Sequence, residues 1–170
     1  KPVAIPSATP EAVDWKVSLS EQRRIAANQQ AREHKGNKKD TVAYVVTITS
    51  CGKGPRGDIP FQIAEGAAVL RHSIQKNALT YDFAMYAFYH PEAEECAKGL
   101  QELGYIIEAR DTPVPVSEIR GDFLRERIVK NGCCGEKELI KFEAWTLTDY
   151  RVVVLLDLDV LILKPLDHLF

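Results

Sequence analysis

The sequence predicts an α/β domain whose sheet is mostly parallel and is flanked by helices. Short apolar, β-branched and aromatic runs alternate along the chain with stretches of helical character, a pattern typical of strand–helix–strand units. The clearest runs are continuously apolar, as in strands that are buried on both faces. Polar residues directly follow two of these runs, and parallel sheets bind ligands at the carboxyl ends of their strands. We therefore expect a ligand site at that edge of the sheet.

Length, charge and cysteine spacing exclude several classes of function. The chain has 170 residues, of which 45% are hydrophobic and 27% are charged, enough to bury the core of one domain. A formal net charge of -2 gives no attraction to nucleic acid or to an anionic membrane. No apolar run approaches the ~18 residues of a membrane span. The four cysteines (Cys51, Cys96, Cys133 and Cys134) lack Cys-x-x-Cys spacing, so we expect free thiols and no structural zinc.

Residues 1–40 differ in composition from the remainder of the chain. Three prolines interrupt the first ten residues, and the helical stretch at residues 21–34 has only a thin apolar stripe. Such a segment buries little, so we predict a polar linker or stem-like arm ahead of a domain over residues 41–170. The chain begins with Lys1 and ends at Phe170, soon after its most distinctive segment. We therefore expect a processed or incomplete N-terminus and a domain truncated after its last strand.

The first elements of the domain are predicted to be two strands separated by a helix. Residues 43–48 form an apolar run that ends in a polar, glycine-containing loop, as expected of a buried strand. Residues 63–75 have apolar side chains at helical spacing, and residues 81–89 form a second apolar and aromatic run. These three segments therefore make one strand–helix–strand unit.

The middle of the domain is predicted to contain a helix, a third strand and a shorter helix. The first helix begins at Pro91, has acidic residues in its first turn and stops before Gly104, which are usual helix boundaries. Residues 105–108 form the strand. Residues 111–122 are a proline-containing connection, and residues 123–130 form the short helix.

The last elements are predicted to be a helix over residues 136–148 and a strand over residues 152–156. The strand is apolar throughout, so we expect it at the centre of the sheet. It leads directly into Asp157 and Asp159, which are separated by one residue. Neighbouring carboxylates repel unless protons or a cation neutralise them. Mg²⁺ or Mn²⁺ would do so and would also bind a diphosphate; alternatively, the two acids simply end the strand and begin a turn.

The residues around this acid pair resemble the signature of a known enzyme family. Lys141 is followed by Trp145-Thr-Leu-Thr-Asp-Tyr150, by the strand that leads into Asp157-Leu158-Asp159, and by Asp167-His-Leu-Phe170. This succession is similar to the Lys, Trp-x-Leu-Thr-x-Tyr, Asp-x-Asp and Asp-x-Leu-Phe elements of the glycogenin-like retaining glycosyltransferases of family 8. The strand at residues 43–50 also resembles the family's first strand, so the matching pieces span most of the domain.

The resemblance implies a GT-A type, Rossmann-like nucleotide-diphospho-sugar transferase fold and a Mn²⁺-dependent (or Mg²⁺-dependent) hexosyltransferase. Such an enzyme moves a sugar from a nucleotide-diphosphate donor, expected to be a UDP-sugar, to a hydroxyl of a carbohydrate or glycoprotein acceptor with retention. It implies that Asp157 contacts the donor and the metal, and that Asp159 is a direct metal ligand. It also implies that Lys141 approaches the donor nucleotide and that Thr49 and Ser50 lie beside the uracil.

The resemblance also implies what this chain lacks. The family's acceptor site and further catalytic groups follow the Asp-x-Asp motif, so catalytic residues are expected downstream of Phe170. We therefore expect weak or no sugar transfer by these 170 residues. Two positions depart from the family: Leu158 replaces a usually small residue, and Ser50 replaces the Asn of glycogenin, which weakens the case for uridine specificity. The resemblance is compatible with the Golgi lumen if an upstream membrane anchor exists, and otherwise with the cytoplasm.

The same residues also have ordinary structural interpretations. Lys141 would then be a surface lysine, and Thr49 and Ser50 would be turn residues. Two other functions remain open on the sequence alone. One is a non-catalytic nucleotide-sugar-binding protein. The other is a haloacid-dehalogenase-type phosphatase, which also has a strand that leads into Asp-x-Asp but normally has Thr where this chain has Leu161.

Three further residues of the motif region are predicted to be structural. Asp167 is expected to cap a short helix that begins at the next residue. Trp145 and Tyr150 are expected in the core rather than on a sugar-stacking surface.

Overall fold

A four-stranded, all-parallel sheet flanked by helices forms the centre of the protein in a computed structural model that describes residues 37–51, 59–130 and 134–170. The strand order across the sheet is β3-β2-β1-β4. The strands are β1 (Thr41–Ile48), β2 (Asp82–Tyr89), β3 (Ile106–Ala109) and β4 (Val152–Leu155). The predicted α/β class and parallel sheet are confirmed, and the arrangement is compatible with a Rossmann-like fold. Most of the predicted polar arm lies outside the described residues.

Three α-helices are described, together with several 3-10 helices. The α-helices are α1 (Ile59–Asn77), α2 (Glu94–Glu102) and α3 (Asp122–Val129). The 3-10 helices are Lys38–Asp40, Pro91–Ala93, Val116–Glu118, Gly135–Thr146 and Asp167–Leu169. Gly104 follows α2 with a φ of +87°, a left-handed conformation that favours glycine after a helix. The predicted end of that helix is therefore confirmed.

The two faces of β1 contribute to two separate cores. Val42, Tyr44 and Val46 pack with residues of α1 and α2, whereas Ala43 and Val45 pack with Ile140 and Ala144 of the long 3-10 helix. This alternation follows from the two-residue period of a strand. It explains why the sequence of β1 is apolar at almost every position.

β4 lies at the edge of the described sheet, so the prediction of a central strand is wrong for this part of the chain. It pairs in parallel with β1, from Val42 opposite Val152 to Val45 opposite Leu155. Its residues are half-buried or exposed, although its composition resembles that of a fully buried strand. The reason is that β4 has a strand neighbour on one side only among the described residues.

The last predicted helix is a 3-10 helix (Gly135–Thr146) rather than an α-helix. Side chains three residues apart are eclipsed in this geometry. Glu138 and Lys141 form such a pair as an ion pair. Phe142 and Trp145 form another, with ring centroids 5.1 Å apart and planes inclined by 19°.

Two predictions about buried aromatic residues have different outcomes. Trp145 is 67% exposed, so its predicted place in the core is wrong. It lies with Phe142 on the outer side of the long 3-10 helix, while Ala144 occupies the buried side. Tyr150 is half-buried against the second core. Its hydroxyl lies 2.8 Å from that of Tyr86, and the two share one hydrogen bond.

The predicted helix-capping role of Asp167 is also wrong. Asp167 is the first residue of the 3-10 helix Asp167–Leu169, and the N-cap position belongs to Leu166. Its carboxylate instead accepts a hydrogen bond of 2.7 Å from the backbone N–H of Thr80, 87 residues away. This hydrogen bond lowers the pKa of Asp167 below its ordinary value. The contact ties the C-terminal segment to the turn before β2.

A disulfide joins Cys51 to Cys96, so the prediction of free thiols is wrong for this pair. The two cysteines are 45 residues apart in sequence, but folding brings their Cα atoms to 5.9 Å, a usual separation for a disulfide. Cys133 lies outside the described residues. No helix in the described ranges has both the length and the apolarity to cross a membrane.

Candidate functional site

The predicted donor-site residues follow two strands that end at the same edge of the sheet. Thr49 and Ser50 come directly after β1, and Asp157 follows β4 after one residue. Because β1 and β4 are parallel neighbours, their carboxyl ends meet at one edge. The backbone N–H of Leu156 donates a 2.9 Å hydrogen bond to Val45, which continues the pairing almost to Asp157.

Lys141 and Asp157 form the central contact of this edge. The ammonium nitrogen Nζ of Lys141 lies 2.9 Å from Oδ1 of Asp157, although the two residues belong to different elements. Lys141 also pairs with Glu138, one turn earlier in the long 3-10 helix. Hydrogen bonding to Glu138 and Asp157 raises the pKa of Lys141 above its ordinary value, against the opposing effect of burial. The lysine is therefore fully charged and is held between two carboxylates.

Asp159 lies just beyond this contact, in a turn. The N–H of Val160 donates to the carbonyl of Asp157 at 3.2 Å and closes the turn, so the acids do end a strand as one interpretation expects. Asp159 is exposed, and Asp157 has a side chain that is 62% exposed. The structure therefore presents both carboxylates to solvent, where a metal and a phosphate could reach them.

Helix α1 positions the turn that carries the acids. A Cβ on Gly66 would lie 3.1 Å from the carbonyl oxygen of Leu158, so glycine permits the backbone of the turn to approach the helix closely. Leu158 itself packs against the first core. This packing gives a structural reason for a large residue between the two acids.

Two polar residues of α1 fix the segment that follows the turn. Oγ of Ser73 accepts a 3.1 Å hydrogen bond from the N–H of Ile162, and Nδ2 of Asn77 donates to the carbonyl of Ile162 at 3.0 Å. We did not predict these roles from the sequence. A serine inside the predicted helical segment was the available signal, because serine is a poor residue for a helix interior.

A second polar cluster lies where β2 and β3 end. Arg110 pairs with Glu108 and, from its Nε, with Glu143 at 3.5 Å. Its guanidinium also lies 4.9 Å from the centroid of the Phe88 ring. Nδ1 of His90 accepts a hydrogen bond of 3.3 Å from the N–H of Glu92. These groups extend the charged edge, and we did not predict them from the sequence.

Asp157 and Asp159 are the carboxylates of this edge that would take part in any metal site. No group of three or more His, Cys, Asp and Glu residues that could hold a metal occurs in the described part of the chain. Asp157 and Asp159 would supply two oxygen ligands. Mg²⁺ commonly binds through one or two carboxylates plus substrate phosphates and water. The residues present therefore fit a metal that arrives with a diphosphate and not a closed structural site.

Comparisons with known proteins return no match. No family model matches the chain, and neither a curated protein nor a solved structure matches it.

Proposed function

We propose that this chain binds a nucleotide-diphosphate sugar, expected to be a UDP-sugar, as the donor-binding part of a metal-dependent retaining hexosyltransferase with a GT-A fold. The 2.9 Å contact between Lys141 and Asp157 carries this proposal. It brings together the cation and the first acid of the motif at the ligand-binding edge of a parallel sheet. A cation beside exposed carboxylates is the charge arrangement that a metal–diphosphate ligand requires.

Each residue of the site has a proposed role toward the donor. Asp157 and Asp159 would hold Mn²⁺ or Mg²⁺, and Lys141 would bind phosphate oxygens. Thr49 and Ser50, at the end of β1, would contact the base. The metal, when bound, neutralises negative charge on the departing diphosphate. The acceptor, a carbohydrate or glycoprotein hydroxyl, and the groups that activate it are assigned to no described residue.

The proposed binding has an electrostatic consequence for the unliganded site. Lys141 is shared by Glu138 and Asp157, so these carboxylates neutralise it before a ligand arrives. A donor phosphate would replace Asp157 as a partner of the lysine, and the carboxylate of Asp157 would become available to the metal. Metal and nucleotide should therefore bind with positive coupling.

Titration calorimetry with UDP, in the presence and absence of Mn²⁺, tests the proposal. Wild-type protein should bind UDP when Mn²⁺ is present, and the double variant Asp157→Asn/Asp159→Asn should not. The control is Asp149→Asn, an exposed acid of the turn before β4 that pairs with Lys38 at 3.6 Å. The control should bind as the wild type does. Binding that needs neither the metal nor the two acids would contradict the proposal.

A further inference from the structure

The Cys51–Cys96 disulfide lies directly beside the proposed base-binding residues. Cys51 is the third residue after β1 and packs against the first core, and Cys96 belongs to the first turn of α2 and is 1% exposed. The bond therefore connects the carboxyl end of β1 to the helix that follows β2.

Thr49 and Ser50 are held from both sides. On one side, the carbonyl of Ile48 accepts a 2.9 Å hydrogen bond from the N–H of His90. The pairing of β1 with β2 therefore extends as far as Ile48, the last residue of β1. On the other side, Cys51 is bonded to a buried residue of α2. Only two residues separate these anchors, which leaves the segment little conformational freedom.

The metal-binding side of the site is held by different contacts. The turn with Asp157 and Asp159 lies against Gly66 of α1, and the segment after it is bonded to Ser73 and Asn77. Neither cysteine takes part in these contacts. The two halves of the proposed site are therefore supported independently.

We propose that the Cys51–Cys96 disulfide is a positioning element for nucleoside recognition, an inference that rests on the proposed function. The bond keeps Thr49 and Ser50 in place for the base, and its opening weakens the nucleoside contact while the metal–diphosphate contact persists. A small dithiol opens it by thiolate attack on one Sγ. The Sγ–Sγ bond breaks, the second thiol of the reagent closes a cyclic disulfide, and two cysteine thiols are released. An oxidising compartment keeps the bond closed.

The experiment compares two ligands in Cys96→Ser and in a control, Cys134→Ser, which removes a cysteine outside this bond. UDP and inorganic pyrophosphate are titrated in turn, each with Mn²⁺. In Cys96→Ser, the affinity for UDP should fall about 5- to 30-fold. This fall corresponds to the free-energy cost of ordering one or two freed side chains when UDP binds. The affinity for pyrophosphate should stay within about two-fold of that of the wild type. The control should match the wild type for both ligands.

A second variant and chemical reduction of the wild-type protein show whether a loss in Cys96→Ser results only from misfolding. Cys51→Ser, at a half-buried position, and wild-type protein treated with dithiothreitol should both reproduce the selective loss. Thiol labelling of unreduced wild-type protein should leave both cysteines unlabelled. Labelling of both, equal losses for the two ligands, or an unchanged affinity for UDP would each overturn the inference.

A failure of the proposed function can be distinguished from a failure of this inference. If oxidised wild-type protein binds neither ligand, the proposed function is wrong, and with it the role of the disulfide in recognition. Hydrogen exchange then decides whether the bond restrains the segment at all. Faster exchange at Thr49 and Ser50 in Cys96→Ser, with Val45 unchanged, would support the restraint, and equal exchange would refute it.

Discussion

Lys141 lies between two carboxylates, so its removal should affect metal and nucleotide in opposite directions. Lys141→Met should strengthen the binding of Mn²⁺ alone by a few-fold, on the order of 1 kcal/mol, because a competing cation leaves Asp157. It should weaken Mn²⁺-dependent UDP binding by about ten-fold or more, because a charged hydrogen bond to phosphate is lost. Titration calorimetry with each ligand measures both effects.

The long 3-10 helix offers a matched control for this substitution. Lys137 lies four residues before Lys141 in the same helix, has the same 25% side-chain exposure and pairs with Glu92. Lys137→Met should leave both affinities near those of the wild type. Equal effects of the two substitutions would show that the charge of the helix, and not the contact with Asp157, determines binding.

The hydrogen bond between Thr80 and Asp167 gives the stability of the protein a pH dependence. The bond lowers the pKa of Asp167 in the folded state. The stabilisation is therefore present above the unfolded-state pKa and is lost as the pH falls through the folded-state pKa. Asp167→Asn should unfold at a lower temperature than the wild type at pH 7. The difference should shrink at about pH 3 and below, where the wild-type carboxyl becomes protonated.

Thermal unfolding at the two pH values, with Asp149→Asn as the control, measures this effect. The control replaces an acid that pairs with a surface lysine at 3.6 Å and accepts no long-range backbone bond. Its unfolding temperature should stay close to that of the wild type at both pH values. If Asp167→Asn lowered the unfolding temperature equally at both pH values, the ionised carboxylate of Asp167 would not be the source of the stabilisation.

At the scale of the element, the strands could be predicted from the sequence better than the helices. β1 and β2 were found to within two residues because continuous apolar runs bounded by polar loops leave few alternatives. The helix type at Gly135–Thr146 could not be predicted, since the spacing of apolar residues does not separate α from 3-10 geometry over twelve residues. The edge position of β4 depends on which strands pair, and the sequence of an apolar run does not show which strands lie beside it.

For the candidate site, the sequence indicated some residues but not the contacts that depend on how the chain packs. The resemblance implied that Lys141 and Asp157 both approach the donor. The structure places the two side chains in contact, and a donor site there stays a prediction. The Cys51–Cys96 bond was missed because cysteine spacing does not reveal pairing across 45 residues. The contacts of Gly66 and Ser73 were missed because they depend on how α1 packs against the C-terminal segment.

Two helix glycines, Gly66 in α1 and Gly99 in α2, should respond in opposite ways to substitution by alanine, because only Gly66 packs against the acid-bearing turn. Alanine is favoured over glycine in a helix by about 1 kcal/mol. In Gly99→Ala of α2, the new Cβ would lie 3.8 Å from Ala64, an ordinary contact, so the variant should be more stable. In Gly66→Ala, the new Cβ would lie 3.1 Å from a backbone oxygen, so the turn must move and the gain is cancelled or reversed.

UDP binding by Gly66→Ala distinguishes a local shift of the turn from a general loss of stability. A displaced turn changes the positions of Asp157 and Asp159, so Mn²⁺-dependent UDP binding should fall several-fold even where the protein stays folded. Gly99→Ala should bind as the wild type does. Chemical denaturation and calorimetry on the two variants provide the comparison. Unchanged UDP binding in Gly66→Ala would show that the turn tolerates the displacement.

At the scale of the whole molecule, the acid-bearing side of the sheet is open to solvent. β4 has a neighbour on one side only among the described strands, and the Asp157 side chain is 62% exposed. Sugar transfer requires a site that excludes water and places an acceptor hydroxyl near the donor. The described residues include the proposed donor contacts and none that is assigned to an acceptor. Donor binding and sugar transfer should therefore be separable in this chain.

We accordingly expect these 170 residues to bind UDP with Mn²⁺ and to transfer little or no sugar. The measurement incubates the chain with several UDP-hexoses and oligosaccharide acceptors and follows both labelled product and released UDP. Binding without either product would support a donor site that has no acceptor site beside it among the described residues. Slow release of UDP with free sugar would be hydrolysis by water that reaches the open site. Robust formation of a glycosidic product would contradict this expectation and would require an acceptor site among the residues of this chain.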